Sequence, residues 1–114
     1  MIPLFHVNMP PGVEYNLAEV LHSGYITEGP IAKEFELKLQ QWLGNPNIAL
    51  VNSGTSAITM ALRLSGVEQG SEVITSPLTC LATNEPILSL GSTPVWCDID
   101  QSTGNMDPSA IESL

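Results

Sequence analysis

The sequence predicts an α/β fold with a mainly parallel sheet and helices on both of its faces. Three observations carry this prediction. Short strand-like runs occur at 48–51, 72–75 and 93–97, helical periodicity fills the stretches between them, and the connections are short enough to force βαβ crossovers.

Taken in order, Leu17, Val20 and Leu21 recur at helical spacing within 14–23, and Gly24 follows where a left-handed residue closes a helix. A second helix opens after Thr27-Glu28-Gly29 at Pro30, whose fixed φ suits a first helical turn. Ile31, Phe35, Leu39 and Trp42 mark one face of it, Gly44 ends it, and Glu34 and Lys38 stand four apart as an ion pair. Residues 1–44 therefore read as an N-terminal helical segment, and 45–114 as an α/β unit. After the turn Asn45-Pro46-Asn47, the continuous apolar run 48–51 predicts a strand covered on both faces. Ser53-Gly54-Thr55-Ser56 breaks that pattern, and 57–64 is apolar nearly all round, which predicts a deeply buried helix closed by Gly66. A strand at 72–75, a helix over 81–90 and a strand at 93–97 follow. Pro86 inside the helical stretch requires either a later start or a kink. Asp107-Pro108 is a cap and first-turn pair opening a helix over 109–114.

Composition removes several functions. Lys and Arg number 3 against 12 Asp and Glu, for a net charge of −9, and Lys33, Lys38 and Arg63 form no cluster able to neutralise a phosphate backbone or meet an anionic membrane. No apolar run reaches the roughly 20 residues of a spanning helix. The amino terminus lacks the basic region of a secretory signal, so a cytoplasmic address is expected. Cys80 and Cys97 lack the spacing of a redox or zinc pair and read as buried thiols.

Chemistry concentrates at strand-to-helix junctions, since ligand sites of parallel sheets form beyond the carboxyl ends of the strands. Asn52-Ser53-Gly54-Thr55-Ser56 joins a strand to a helix. Its glycine admits an anion to the backbone, its hydroxyls add donors, and the helix N-terminus supplies unpaired amides. The same residues also suit simple capping. Thr79-Cys80-Leu81-Ala82-Thr83-Asn84 occupies the next such junction and reads as a second cap or a second wall of the crevice. Asp98 and Asp100 alternate onto one face, but no histidine accompanies them, so turn capping is favoured over a metal site. His6 and His22 stand alone, without the partners of a catalytic base. Glycine signatures for dinucleotides, NTPs and α/β-hydrolases are absent.

One ordered series remains. It comprises Gly24-Tyr25-Ile26-Thr27-Glu28-Gly29-Pro30 followed by Phe35-Glu36, then Asn52-Ser53-Gly54-Thr55-Ser56-Ala57, Glu72-Val73-Ile74, Ala82-Thr83-Asn84, Gly91 with Pro94-Val95, Asp98-Ile99-Asp100, and Thr103-Gly104-Asn105-Met106-Asp107-Pro108. In that order the segments resemble the DegT/DnrJ/EryC1/StrS sugar aminotransferases, pyridoxal-phosphate enzymes of fold type I. Ser71 stands where that family usually has Asp, and Cys80 where it usually has an aromatic residue.

The resemblance implies the N-terminal part of a fold type I large domain. Pyridoxal 5'-phosphate is its cofactor, with Gly54, Thr55 and Ser56 on the phosphate and Cys80 near the ring. Tyr25 and Thr27 are implied on the substrate side. It further implies transfer of an amino group from glutamate to a nucleotide-linked keto-sugar, in amino-sugar or polysaccharide biosynthesis, by a homodimer that binds no nucleic acid or membrane. The lysine that such enzymes join to the cofactor, and the aspartate that keeps its ring nitrogen charged, have no counterpart here: Lys33 and Lys38 lie on an early helix. The 114 residues are thus expected to be about the first third of such an enzyme and inactive alone. Two alternatives stay open, a dehydratase of the same family and a non-catalytic α/β protein binding a phosphorylated ligand or a partner.

Overall fold

The structure is a computed structural model that describes residues 2, 3 and 5–114. Its elements in chain order are α1 (Val13–Ser23), α2 (Pro30–Leu43), α3 (Gly54–Leu64), β1 (Glu72–Thr75), α4 (Leu81–Ser89), β2 (Thr93–Trp96) and α5 (Pro108–Ile111). They fall into two compact units, one running to Leu50 and the other Val51–Leu114.

In the first unit both helices end as the sequence predicts, at Gly24 and Gly44 in left-handed conformation, and Pro30 occupies the first turn of α2. Lys38 meets Glu34 at 2.6 Å, and Lys33 meets Glu36 at the same distance. The apolar face of α2 is present but poorly covered, with Trp42 81% exposed.

No strand forms at 48–51. A strand exists only through a ladder, and among the described residues no backbone hydrogen bond ties this run to another segment. Its apolar character is legible locally; its partner is not.

The second unit is built on a parallel βαβ arrangement. Strand β1 pairs with β2 in the register Glu72↔Thr93 to Thr75↔Trp96, and α4 is the crossover between them. Thr93 N–H donates to Ser71 C=O at 2.8 Å and Cys97 N–H to Thr75 C=O at 2.9 Å, so pairing continues one residue past each end. The expected strand 93–97 closes at Trp96, with Cys97 still bonded to β1 through its N–H. Pro86, Ile87 and Cys97 are the buried apolar residues, joined by Thr75, Asn84 and Ser92.

Helix α4 starts at Leu81 and runs through Pro86. Proline there forfeits a bond to Ala82 C=O, but its ring is fully buried and its own carbonyl accepts from Leu90 N–H and the Ser89 hydroxyl, so packing offsets the missing donor. Helix α3 departs from expectation in two ways. It begins at Gly54, so the polar turn is its first turn, and none of its residues is buried; Leu64 is 82% exposed. An apolar helix is buried only where neighbours cover all its sides, and in this unit α4 covers one.

Beyond β2, Ile99 bridges Met106 in antiparallel fashion, and Asp100 N–H donates to Asn105 C=O at 2.9 Å. Asp100 accepts from both the N–H and the hydroxyl of Ser102 and so caps its turn, whereas Asp98 accepts from the N–H of its own neighbour Ile99 and caps none. Among the described residues no group of acidic, histidine or cysteine side chains could hold a metal ion. Asp107 caps α5 through Ser109 N–H. That helix closes at Ile111, short of 114, because Ser113 and Leu114 bond three residues back and tighten into turns. Cys97 is buried as expected, but Cys80 is exposed, since it precedes α4 in a loop that nothing in its unit covers.

The two Ser102 hydrogen bonds, the side-chain one foremost, hold the Asp100 carboxyl below its ordinary value. A depressed folded value means the turn is stabilised above the unfolded value and loses that support as pH falls through the folded one. The Asp100 carboxyl carbon and the Ser102 amide should therefore titrate together in NMR spectra, with a midpoint below that of an unfolded aspartate. A midpoint at or above that value would contradict the capping.

Candidate functional site

The first turn of α3 gathers most of the predicted site residues. Ser53, in extended conformation, is the N-cap: its Oγ accepts from Ser56 N–H at 3.1 Å, and its carbonyl accepts from Ala57 N–H at 3.1 Å. The Ser56 hydroxyl donates to Asn52 Oδ1 at 2.7 Å and lies 2.9 Å from Ser53 Oγ. Since the Ser56 proton is committed to Asn52, Ser53 donates across the hydroxyl pair. The result is a closed relay, Ser53 to Ser56 to Asn52, that fixes the turn.

That relay decides what is left for a ligand. Ser56 and Ala57 amides are used within the turn, while the amides of Gly54 and Thr55 and the Thr55 hydroxyl have no partner among the described residues. A Cβ on Gly54 would meet nothing within 4 Å, so the space over its backbone is open. Two free amides at the positive end of an 11-residue helix, beside a free hydroxyl, form a donor set suited to a phosphate. The cation of this unit does not assist: Arg63 sits in the last turn and reaches Val67 C=O at 3.3 Å. Residues of this turn therefore fit the phosphate of a cofactor, with Gly54 and Thr55 as free donors and Ser56 holding the turn.

Topology brings a second segment to the same end of the unit. Helix α3 returns to the start of β1 and α4 to the start of β2, so both helices begin at the carboxyl end of the parallel pair. Residues 76–80 link β1 to α4 there, ending at Cys80, the N-cap of α4, which makes no side-chain capping bond. Leu78 N–H donates to Ser76 Oγ at 3.1 Å, and the Thr79 and Thr83 hydroxyls pair at 3.1 Å. Below them lies the buried Asn84, whose Oδ1 accepts from the Thr75 hydroxyl at 2.6 Å and whose Nδ2 donates to Ser76 C=O at 3.1 Å. The roles of Asn52 and Asn84 escape the sequence reading. For Asn84 a signal existed: it lies three residues before Ile87, on the buried stripe of α4, where an amide needs partners.

Tyr25 and Thr27 belong to the first unit. They line a concavity of about 770 Å³ with α1 and α2, its floor including Val20, Ile31 and Phe35. Gly29, whose backbone is extended, is required by close approach: a Cβ there would stand 2.7 Å from the Tyr25 Cβ. Tyr25 is thereby seated on the entry to α2.

Replacing Ser53 by Ala should remove the acceptor for Ser56 N–H and half of the relay. We expect a loss of about 1 kcal/mol in urea unfolding of the complete gene product and faster hydrogen exchange at Ser56. Unchanged exchange at Ser56 would contradict the capping role.

Comparison with known proteins gives consistent results. Residues 13–114 match the DegT/DnrJ/EryC1/StrS aminotransferase family. The spore coat polysaccharide biosynthesis protein SpsC of Bacillus subtilis (strain 168) is 41% identical over 97 residues, covering 85% of this chain and 25% of its own length. Among solved structures, the sugar aminotransferase CalS13 of Micromonospora echinospora superposes with a TM-score of 0.86 at 39% identity, covering 99% of this chain and 31% of that one. Spr1654 of Streptococcus pneumoniae, solved in a PLP form, gives 0.85 at 34% identity, covering 98% of this chain and 28% of that one. The chain thus spans about a quarter of the curated relative's length.

Proposed function

From the membership of this chain in the DegT/DnrJ/EryC1/StrS aminotransferase family, we propose that it supplies the phosphate anchor and one wall of the cofactor site of a pyridoxal-phosphate sugar aminotransferase. The carrying observation is the first turn of α3, where Gly54 and Thr55 keep their amides free and Gly54 leaves the approach open. Similarity to CalS13 supports a sugar substrate, and the PLP form of Spr1654 supports the cofactor.

In this scheme Gly54 and Thr55 hold the phosphate, and Ser56 keeps them in place through its bonds to Ser53 and Asn52. Cys80 faces the ring from the β1–α4 loop, and Tyr25 and Thr27 line the substrate side. When bound, the cofactor acts as an electron sink that lets an amino group move between a donor and a keto acceptor. We assign the acceptor as a nucleotide-linked keto-sugar and the donor as glutamate, in a homodimer of the cytoplasm. The kinship with SpsC favours a polysaccharide precursor as product.

Catalysis needs a lysine beside the cofactor, and the lysines of this chain, Lys33 and Lys38, are each paired with a glutamate on α2. A polypeptide limited to these 114 residues should accordingly not turn over sugar and amino donor. Among the described residues no helix is long and apolar enough to cross a membrane.

Crowding the anion path or removing one of its donors tests the phosphate anchor. Gly54→Val, which crowds the open approach, and Thr55→Val, which removes one charge-assisted hydroxyl bond, should each weaken pyridoxal phosphate about tenfold in the complete gene product. Affinity for unphosphorylated pyridoxal should not change. Equal losses for both ligands, or none for either, would contradict the assignment.

A further inference from the structure

We propose that Asn84 is a positioning residue, whose side-chain amide clamps the β1–α4 loop and so fixes the wall that Cys80 presents to the cofactor ring. The proposal rests on the cofactor reading above; the clamp itself rests on geometry alone. Asn84 and Thr75 are each 8% exposed, and a buried amide is unfavourable unless both of its ends are paired. Both are: the oxygen accepts from the Thr75 hydroxyl at 2.6 Å, and the nitrogen donates to Ser76 C=O at 3.1 Å. These partners are consecutive residues, the last of β1 and the first of the loop, so one side chain pins the point where the chain leaves the sheet.

The rest of the loop hangs from that point. Leu78 N–H bonds to the Ser76 hydroxyl, and Thr79 bonds to Thr83 one turn into α4. Cys80 follows directly and is the α4 cap without any side-chain bond of its own, so its place is set by the backbone that Asn84 holds. Few side chains meet the requirement. Leucine would fill the space without bonding, and aspartate would accept from Thr75 but turn an acceptor toward Ser76 C=O. Only a side chain of this length with both an acceptor and a donor serves both partners.

The distinction from a merely structural role lies in which ligand feels the change. Asn84→Asp in the complete gene product should raise deuterium exchange across 76–80 about tenfold while α3 and β2 exchange as before. It should weaken pyridoxal phosphate about tenfold and leave inorganic phosphate, which reads the α3 turn alone, within about twofold. Thr75→Ser, which keeps the hydroxyl, should behave as the unsubstituted protein. Thr75→Val, which removes one of the two bonds, should shift both readouts in the same direction as Asn84→Asp and carries the test if that variant fails to fold. Unchanged exchange across 76–80 would overturn the clamp. Parallel weakening of pyridoxal phosphate and inorganic phosphate would overturn the positioning role, because it would mark a general loss of structure. If the unsubstituted protein binds no pyridoxal phosphate, the cofactor reading falls and the ring role of Asn84 with it, while loop exchange still decides the clamp.

Discussion

The division of labour within the first turn of α3 is the constraint on which the functional account depends. A helix start exposes four amides, and a cap that satisfied all of them would leave nothing for an anion. Here the Ser53 hydroxyl takes the amide of Ser56 and its carbonyl opens the helical ladder at Ala57, while Gly54 and Thr55 keep their amides free. The hydroxyl relay through Ser56 to Asn52 makes the turn rigid without consuming the free donors. Preorganisation of this kind lowers the ordering cost of binding, and since the cation of this unit, Arg63, sits at the other end of α3, the helix dipole makes the turn attractive to an anion.

Residues that act locally were legible in the sequence. Gly24, Pro30, Gly44 and Asp107 mark helix ends through their own φ preference or side-chain acceptor, and each does so in the structure. The run 48–51 misled because strand character needs a partner that local pattern cannot supply. Helix α3 misled for a related reason: apolar composition states a preference for burial, and coverage depends on what lies alongside. Within the site, the turn at Gly54, Thr55 and Ser56 could be located from residue types. Which of its donors are free could not, because that depends on how the Ser53, Ser56 and Asn52 side chains orient. Asn84 shows the same limit, since its two bonds join positions nine and eight residues away.

Large apolar side chains on the second unit remain in water, among them Leu64, Leu81 at 75% and Trp96 at 52% exposure. Apolar surface of that extent is stable when other protein surface covers it. With Pro86, Ile87 and Cys97 as the buried apolar residues of this unit, hydrogen bonding carries a large share of the local order, through the βαβ ladder, the Thr75–Asn84–Ser76 clamp and the turn that follows β2. The carboxyl end of the parallel pair is thus held by polar contacts more than by packing. Changes of one polar atom there should matter more than loss of a methylene.

The most direct test of the phosphate anchor is to follow backbone amide resonances of the complete gene product during titration with pyridoxal phosphate and, separately, with pyridoxal. If the first turn of α3 holds the phosphate, the Gly54 and Thr55 amides move downfield with pyridoxal phosphate and stay in place with pyridoxal, while the capped Ser56 and Ala57 amides move least. Gly54 and Thr55 amides unmoved by pyridoxal phosphate at saturation would contradict the anchor.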